Sequence, residues 1–184
     1  MISLPVQALL DDQDHRLELE PLGNAFKNPA VLRQILKRRK ILIPQIQKPG
    51  LALTGYPANI HPGRIQVLGN SEIGFLKSLK TAKCAAILRK ICRRDVACFV
   101  MTNKSNPPPA LVAEASRGKI PLLRTPLTTG IFIQRVTRFL EERLTETATV
   151  HGVLTDVFGV GILLRGKSGI GKSECALELV MKGH

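Results

Sequence analysis

The stretch that decides the fold is VGILLRGKSGIGKSECALELV, residues 160–180. Its first part, Val160 to Leu164, is an apolar run of strand length. A glycine-rich turn follows. Acidic and apolar residues then recur at helical spacing until Gly183, which is typical of the residue that ends a helix. A strand, a glycine-rich turn and a helix in this order predict an α/β protein.

The turn matches G-x-x-x-x-G-K-[ST] at every defined position and predicts a phosphate-binding loop. Its glycines allow a concave backbone whose amides point at phosphate oxygens, beside the positive end of the following helix. Lys172 adds a positive charge to the same oxygens, and Ser173 offers a hydroxyl to Mg²⁺. The candidate ligand-binding residues are Gly166, Lys167, Ser168, Gly169, Ile170, Gly171, Lys172 and Ser173. The alternative is a glycine-rich turn without a ligand, but a chance match is expected only about 0.01 times in a chain of this length.

Upstream, predicted strands alternate with predicted helices. The strand candidates are Arg64–Leu68, Ala97–Thr102 and Ile120–Leu123. Between the first two, residues 71–92 are helical in composition, with Ser71 as a candidate cap and a break expected near Thr81. A shorter helix is expected to end at Gly118. This order predicts a small α/β domain with a largely parallel sheet.

A longer helix and two strands connect this domain to the glycine-rich loop. From about Thr128 or Thr129, the apolar residues Phe132, Ile133, Val136, Leu140 and Leu144 form one stripe. Residues 149–157 and 158–164 predict two adjacent strands with a tight connection. We therefore expect an N-terminal α/β domain over residues 1–130 and the beginning of a second domain over residues 131–184.

Composition bounds the class of protein. The chain has 184 residues, 44% of them hydrophobic, and a formal net charge of +13. Its apolar runs are far shorter than the roughly 20 residues of a membrane helix, and no signal peptide pattern begins it, so a soluble cytoplasmic protein is expected. The four cysteines lack metal-binding spacing, and we assign them no role.

The positive charge is concentrated in residues 31–94, which hold fourteen basic residues and one acidic residue. One interpretation is a solvated surface or a surface that faces an acidic partner. The other is nucleic-acid binding, which would become weaker steeply with salt. We favour the first, because the segment shows no recognisable nucleic-acid-binding signature and its only aromatic residues are Tyr56 and Phe75.

The residues around the loop resemble a known family. The run from Thr149 to His184 is similar to the start of the catalytic domain of bacterial HPr kinase/phosphorylases, which contain a P-loop. Four upstream segments match the N-terminal domain of that family in the same order. They are Gly50–Tyr56, Arg64–Gly69, Pro107–Pro109 and Ile120–Thr128. The chain thus resembles an N-terminal α/β domain followed by the beginning of a P-loop kinase domain.

The resemblance implies an activity, cofactors and partners. Members of the family use ATP or pyrophosphate to phosphorylate a serine of the phosphocarrier protein HPr, reverse the reaction by phosphorolysis, and so regulate carbon metabolism. A homohexamer and Mg²⁺ are implied. By motif, His151 and Lys172 would be catalytic and Ser173 a metal ligand. Judged from its neighbours alone, His151 fits better as a packed residue of an apolar strand. We expect no role for His15, His61 or His184.

Two departures from the family's pattern bear on function. Lys167 stands where the family usually has an acidic residue. Beyond Ser173 the sequence offers only Glu174 and Glu178 as carboxylates, whereas phosphoryl transfer needs one that orients or deprotonates the attacking hydroxyl. The chain is therefore expected to be either a truncated kinase/phosphorylase or a catalytically inactive remnant that serves as a binding or oligomerisation module.

Overall fold

The computed structural model describes residues 2–22, 28–145 and 150–183 and divides the chain into two compact units. Unit 1 is Met1–Thr145 and unit 2 is Glu146–His184. The elements of unit 1 are β1 (Leu4–Pro5), α1 (Gln7–Leu10), β2 (Glu20–Pro21), α2 (Pro29–Arg38), β3 (Lys40–Ile41), α3 (Gly50–Leu53), β4 (Ile65–Leu68), α4 (Asn70–Ser78), α5 (Thr81–Cys92), β5 (Cys98–Met101), α6 (Pro109–Arg117), β6 (Leu122–Arg124) and α7 (Thr129–Leu144). Unit 2 contains β7 (Val153–Val157), β8 (Val160–Leu164) and α8 (Lys172–Met181).

A four-stranded sheet in the order β2-β6-β5-β4 forms the centre of unit 1. The strands β4, β5 and β6 run parallel, and β2 pairs with β6 in the antiparallel direction. All residues of β4 and β5 are buried. Burial on both faces explains why β5 reads as a continuous apolar run and why Gln66 is the one polar residue of β4. The predicted α/β class and the largely parallel sheet are confirmed.

The helices between β4 and β5 confirm the predicted break, but their cap differs from the prediction. α4 ends at Ser78 and α5 begins at Thr81. Ser71 is not the N-cap, because α4 already begins at Asn70. Instead, the carboxylate of Glu72 accepts a hydrogen bond of 2.9 Å from the Gly69 amide. An acid in the third helical position reaches back in this way to satisfy an amide at the start of the helix.

α7 belongs to unit 1 because its apolar face lies in the core of that unit. Phe132, Val136, Phe139 and Leu140 are fully buried there. The boundary between the compact units therefore lies after Thr145, whereas the sequence placed the domain boundary near residue 130. An amphipathic stripe shows that a helix covers a core but does not show which core it covers.

Unit 2 is a β-hairpin followed by a helix. β7 and β8 are antiparallel, with Val153 opposite Leu164 and Val157 opposite Val160. Phe158 (φ 55°) and Gly159 (φ 79°) form the two-residue turn, and Asp156 Oδ1 accepts a hydrogen bond of 2.9 Å from the Gly159 amide. Two positive φ angles match the twist of a hairpin. The predicted tight connection is confirmed, while β7 begins at Val153 and residues 146–149 lie outside the described part of the chain.

Apolar side chains remain exposed in unit 2. Leu154, Val160 and Leu177 expose more than half of their surface, and Ala176 is the buried residue of α8.

In the described part of the chain, no helix combines the length and the apolar character of a membrane-spanning segment.

We expect Leu140→Ala to lower the free energy of unfolding by about 2–5 kcal/mol, because it leaves a cavity in the core of unit 1. Leu51→Ala is the matched control, since Leu51 is 57% exposed, and it should cost about 1 kcal/mol or less. Urea denaturation followed by circular dichroism measures both. Equal losses would contradict the assignment of α7 to this core.

Glu114 supplies a pH-dependent contact between α5 and α6. Its side chain is 4% exposed and accepts hydrogen bonds from Arg89 (3.2 Å) and Arg117 (2.6 Å). Burial alone raises the pKa of Glu114, but the two arginines outweigh burial and hold the pKa below its ordinary value. Because the folded state has the lower pKa, this stabilisation is present at neutral pH and is lost as the pH falls through that pKa.

We therefore expect Glu114→Gln to lower the free energy of unfolding by about 1–3 kcal/mol at pH 7. The difference from the unchanged chain should shrink as the pH falls through the lowered pKa of Glu114, where the carboxylate of the folded state becomes protonated. Urea denaturation at pH 7 and at a series of lower pH values measures the difference in the free energy of unfolding. Glu141→Gln, on the exposed face of α7, is the control and should change little. A difference that stays constant with pH would rule out the ionised carboxylate as its source.

Candidate functional site

The glycine-rich loop connects β8 to α8 in unit 2. β8 ends at Leu164 and α8 begins at Lys172. The strand and the helix that the sequence predicted on either side of the loop are therefore confirmed. The first hydrogen bond of α8 runs from the Cys175 amide to the Gly171 carbonyl at 2.9 Å. The amides of Lys172, Ser173 and Glu174 precede it and can donate to a ligand at the positive end of the helix.

Three glycines give the loop its path, for two different reasons. Gly169 (φ 80°) and Gly171 (φ 88°) have left-handed backbone conformations, which L side chains rarely adopt. At Gly166 the reason is space, because a Cβ there would lie 3.0 Å from Cγ2 of Ile170 and would require this exposed side chain to shift by a few tenths of an ångström. The motif glycines thus meet the steric requirements of a tight loop that begins at one strand end and finishes at one helix end.

Lys172 bridges the loop. Its Nζ donates hydrogen bonds to the Gly166 carbonyl at 2.9 Å and to the Lys167 carbonyl at 2.7 Å. An ammonium group has three donors, so one N–H remains beyond these two bonds. The contacts hold the positive charge of Lys172 at the loop, next to the amides that begin α8. The structure therefore brings together the charge and the amides that a phosphate group requires.

Ser173 and Lys167 add an exposed hydroxyl and an exposed ammonium group to the loop. Ser173 is exposed in the first turn of α8, so its hydroxyl is accessible to a ligand. Lys167 is also exposed and contributes its carbonyl to Lys172. As an oxygen donor at the end of a phosphate loop, Ser173 fits one position of a Mg²⁺ ion whose other ligands are phosphate oxygens and water.

His151 lies at the end of the hairpin from which the loop begins. Val153, the first residue of β7, pairs with Leu164, the last residue of β8, and His151 precedes Val153 by two residues. The chain approaches closely here, since a Cβ on Gly152 would lie 2.7 Å from the Leu164 carbonyl oxygen. His151 is exposed, so the interpretation as a packed strand residue is wrong.

The other histidines lie elsewhere or outside the described residues. In unit 1, His15 packs edge-on against Phe139, and its ring nitrogens lie 2.9 Å from Asp12 Oδ1 and 3.1 Å from Glu142 Oε2. These contacts fix the segment before β2 to α7. His61 is exposed, and His184 lies outside the described part of the chain.

The carboxylates of unit 2 are few. Asp156 is engaged in the hairpin turn, and Glu174 and Glu178 lie on α8 itself. Within residues 2–22, 28–145 and 150–183, no group of three or more His, Cys, Asp or Glu side chains could hold a metal ion. The described part of unit 2 therefore combines a loop of amide and ammonium donors with three carboxylates, none of them in such a group.

The cysteines of unit 1 are poor nucleophiles. Burial raises the pKa of the Cys98 thiol far above its ordinary value. Burial, with a smaller contribution from the charge of Glu114, raises the pKa of Cys92 to about 12. A thiol reacts as its thiolate, so the raised pKa values disfavour reaction of these two side chains at neutral pH.

Two family models match the chain. "HPr Serine kinase N terminus" matches residues 5–140, and "HPr Serine kinase C-terminal domain" matches residues 142–184. An HPr kinase/phosphorylase of Geobacter sulfurreducens is 50% identical over 183 residues, which cover 100% of this chain and 54% of the relative. One of Levilactobacillus brevis is 44% identical over 147 residues, which cover 79% of this chain and 47% of the relative. The chain thus spans about half the length of these curated relatives.

A solved structure shows a weaker likeness. It contains the CBS and DRTGG domains of the regulatory region of a Clostridium perfringens pyrophosphatase, and it is 14% identical with a TM-score of 0.37. The match covers 71% of this chain and 53% of that one. A likeness at this level carries no argument about fold or function.

We expect Lys172→Ala to weaken binding of magnesium pyrophosphate about 10- to 100-fold, because each hydrogen bond to a charged group contributes about 1.5–3 kcal/mol. Lys182→Ala removes the same charge at the far end of α8 and should change the affinity less than about twofold. Isothermal titration calorimetry measures both dissociation constants. Equal losses in the two variants would show that general charge, and not the loop, holds the ligand.

Proposed function

The chain belongs to the HPr serine kinase family, and we propose that its loop binds ATP or pyrophosphate for the phosphorylation of a serine in the phosphocarrier protein HPr. The reverse reaction, phosphorolysis of phosphoserine by inorganic phosphate, belongs to the same proposal. The observation that carries it is the bridge of Lys172 to the Gly166 and Lys167 carbonyls, next to the start of α8. The names of the curated relatives supply the choice of HPr as the substrate.

Each loop residue has a role in this proposal. The amides of residues 166–171 and of the first turn of α8 donate to β- and γ-phosphate oxygens. Lys172 exchanges its two carbonyl partners for phosphate oxygens, whose negative charge attracts the ammonium group more strongly than a carbonyl dipole does. Ser173 offers its hydroxyl to Mg²⁺. When bound, Mg²⁺ neutralises charge on the phosphate oxygens during transfer.

His151 and Lys167 flank the phosphates in the proposed complex. His151 is the second proposed catalytic residue beside Lys172, because it comes just before β7, whose partner strand β8 leads into the loop. Lys167 adds a positive charge at a position where relatives usually have an acidic residue. This charge favours ligands that carry several negative charges, as pyrophosphate and ATP do.

The remaining features follow from family membership and are also proposed. They are a homohexameric assembly, a cytoplasmic location and a role in the regulation of carbon metabolism. The division of the chain into an N-terminal α/β domain and the beginning of a kinase domain also stays a proposal.

A second function competes with the first because of the carboxylates. A serine hydroxyl needs a group that orients it or accepts its proton, and in the described part of unit 2 the acids are Asp156, which closes the hairpin, and Glu174 and Glu178 on α8. The alternative is a catalytically inactive chain that acts as a binding or oligomerisation module. It predicts binding of pyrophosphate without transfer of phosphate.

Incubation of the chain with labelled ATP, Mg²⁺ and HPr distinguishes the two functions. Label on a serine of HPr would support the kinase and exclude the inactive module. The full-length Geobacter sulfurreducens relative is the positive control for the HPr sample. If that relative transfers label while this chain binds pyrophosphate and transfers none, catalysis by this chain is excluded and the binding module is favoured.

A further inference from the structure

A cavity of about 480 Å³ lies in unit 1, at the amino ends of the parallel strands. One wall is a stripe of α2 that contains Val31, Gln34, Ile35 and Arg38, spaced so that they share one helix face. The opposite wall comes from the segments that lead into the sheet. The Leu42 amide donates to the Gly63 carbonyl just before β4, Asp95 precedes β5, and Gly118 and Lys119 precede β6. A volume of this size is typical of small-molecule sites.

Arg39 holds the two walls together. Its guanidinium donates to Asp95 Oδ1 at 2.7 Å and to the carbonyl oxygens of Val96, Gly118 and Lys119 at 3.3, 2.7 and 3.0 Å. These bonds tie the end of α2 to the segments before β5 and β6. Because one side chain fixes three segments, the cavity exists before a ligand arrives, which lowers the entropic cost of binding.

Two residues of the cavity have a left-handed backbone. Asp95 (φ 53°) and Lys119 (φ 50°) lie opposite α2 and are not glycines. At Lys119 this conformation ends α6, because the Lys119 amide donates to the Ser116 carbonyl and the Ile120 amide donates to the Ala115 carbonyl, as at many helix ends. Here the hydrogen bonds from Arg39 hold both residues.

The cavity carries an excess of positive charge. Arg39 is paired with Asp95. The other three cationic side chains of the lining, Arg38, Lys40 and Lys119, take part in no ion pair among the described residues. With four cations and one carboxylate, the lining has a net charge of +3. A concave surface of one sign raises the local concentration of the opposite ion.

Apolar side chains lie beside these charges. Val31 is 42% exposed, and Ile35 and Leu42 line the same cavity. An inorganic anion would leave this apolar surface in water, and a purely apolar ligand would leave the cations unpaired. A ligand that satisfies both has an apolar body and an anionic head.

We propose that this cavity binds a small amphiphilic anion, with its apolar body on Val31, Ile35 and Leu42 and its anionic head between Arg38, Lys40 and Lys119. This site is separate from the glycine-rich loop and does not depend on the function proposed for it. It also gives part of the basic segment a role that a uniformly solvated surface would not have.

A titration of the ¹⁵N-labelled 184-residue chain with 2-naphthoate, followed by NMR, tests the proposal. We expect saturable shifts of the Gln34, Leu42, Gly118 and Lys119 amides. The uncharged 2-naphthamide has the same shape, and sodium sulfate has the charge alone. Each should bind at least about tenfold more weakly, which corresponds to about 1.4 kcal/mol. Increasing salt should weaken the binding of 2-naphthoate, since part of the affinity comes from charge.

Variants separate the cavity from the charge of the whole chain. The double variant Arg38→Gln with Lys40→Gln should weaken binding about tenfold or more. Lys37→Gln changes the same helix outside this cavity and should leave the affinity within about twofold. If the double variant disturbs the spectrum of the free protein, Lys119→Gln alone takes its place and should weaken binding severalfold.

Several results would overturn the proposal. They are no saturable shift of these amides, equal binding of 2-naphthamide, an equal loss in Lys37→Gln, and shifts confined to residues 166–173. The last would assign the anion to the glycine-rich loop instead of the cavity.

Discussion

The candidate site depends on one backbone constraint, which is the left-handed conformation of Gly169 and Gly171 between β8 and α8. These two residues turn the chain so that α8 begins directly at the loop. Only then do the amides of its first turn and the ammonium group of Lys172 face the same space. A side chain at either glycine would strain this turn, and a loop of another shape would leave the positive end of the helix without a pocket for phosphate.

Much of this site could be predicted from the sequence because its requirements are local. The spacing of Gly166, Gly169, Gly171, Lys172 and Ser173 follows from the steric demands of one turn, so the motif predicted both the loop and its flanking elements. The position of His151 could not be read in the same way. It depends on the pairing of β7 with β8, and a register between strands is a property of two segments that the neighbours of a single residue do not reveal.

The fold of unit 1 shows the same division between local and distant information. Burial on both faces gave β5 its apolar run and left Gln66 as the one polar residue of β4, so the parallel sheet was predicted from composition and order alone. Ser71 was the wrong cap, because the carboxylate of Glu72 reaches back to Gly69 and no serine is needed. The assignment of α7 required knowledge of which core its apolar stripe covers. The cavity beside α2 was not predicted, because Arg39 builds it from segments far apart in the sequence.

The central claim is that the loop of residues 166–173 binds the phosphate groups of its ligand through backbone amides and Lys172. NMR of the ¹⁵N-labelled chain with magnesium pyrophosphate tests it most directly, because each amide reports separately. The account predicts large, saturable shifts of the Gly169, Gly171, Lys172 and Ser173 amides, with unit 1 little affected. Saturation of shifts elsewhere in the chain, with these four amides unchanged, would contradict it.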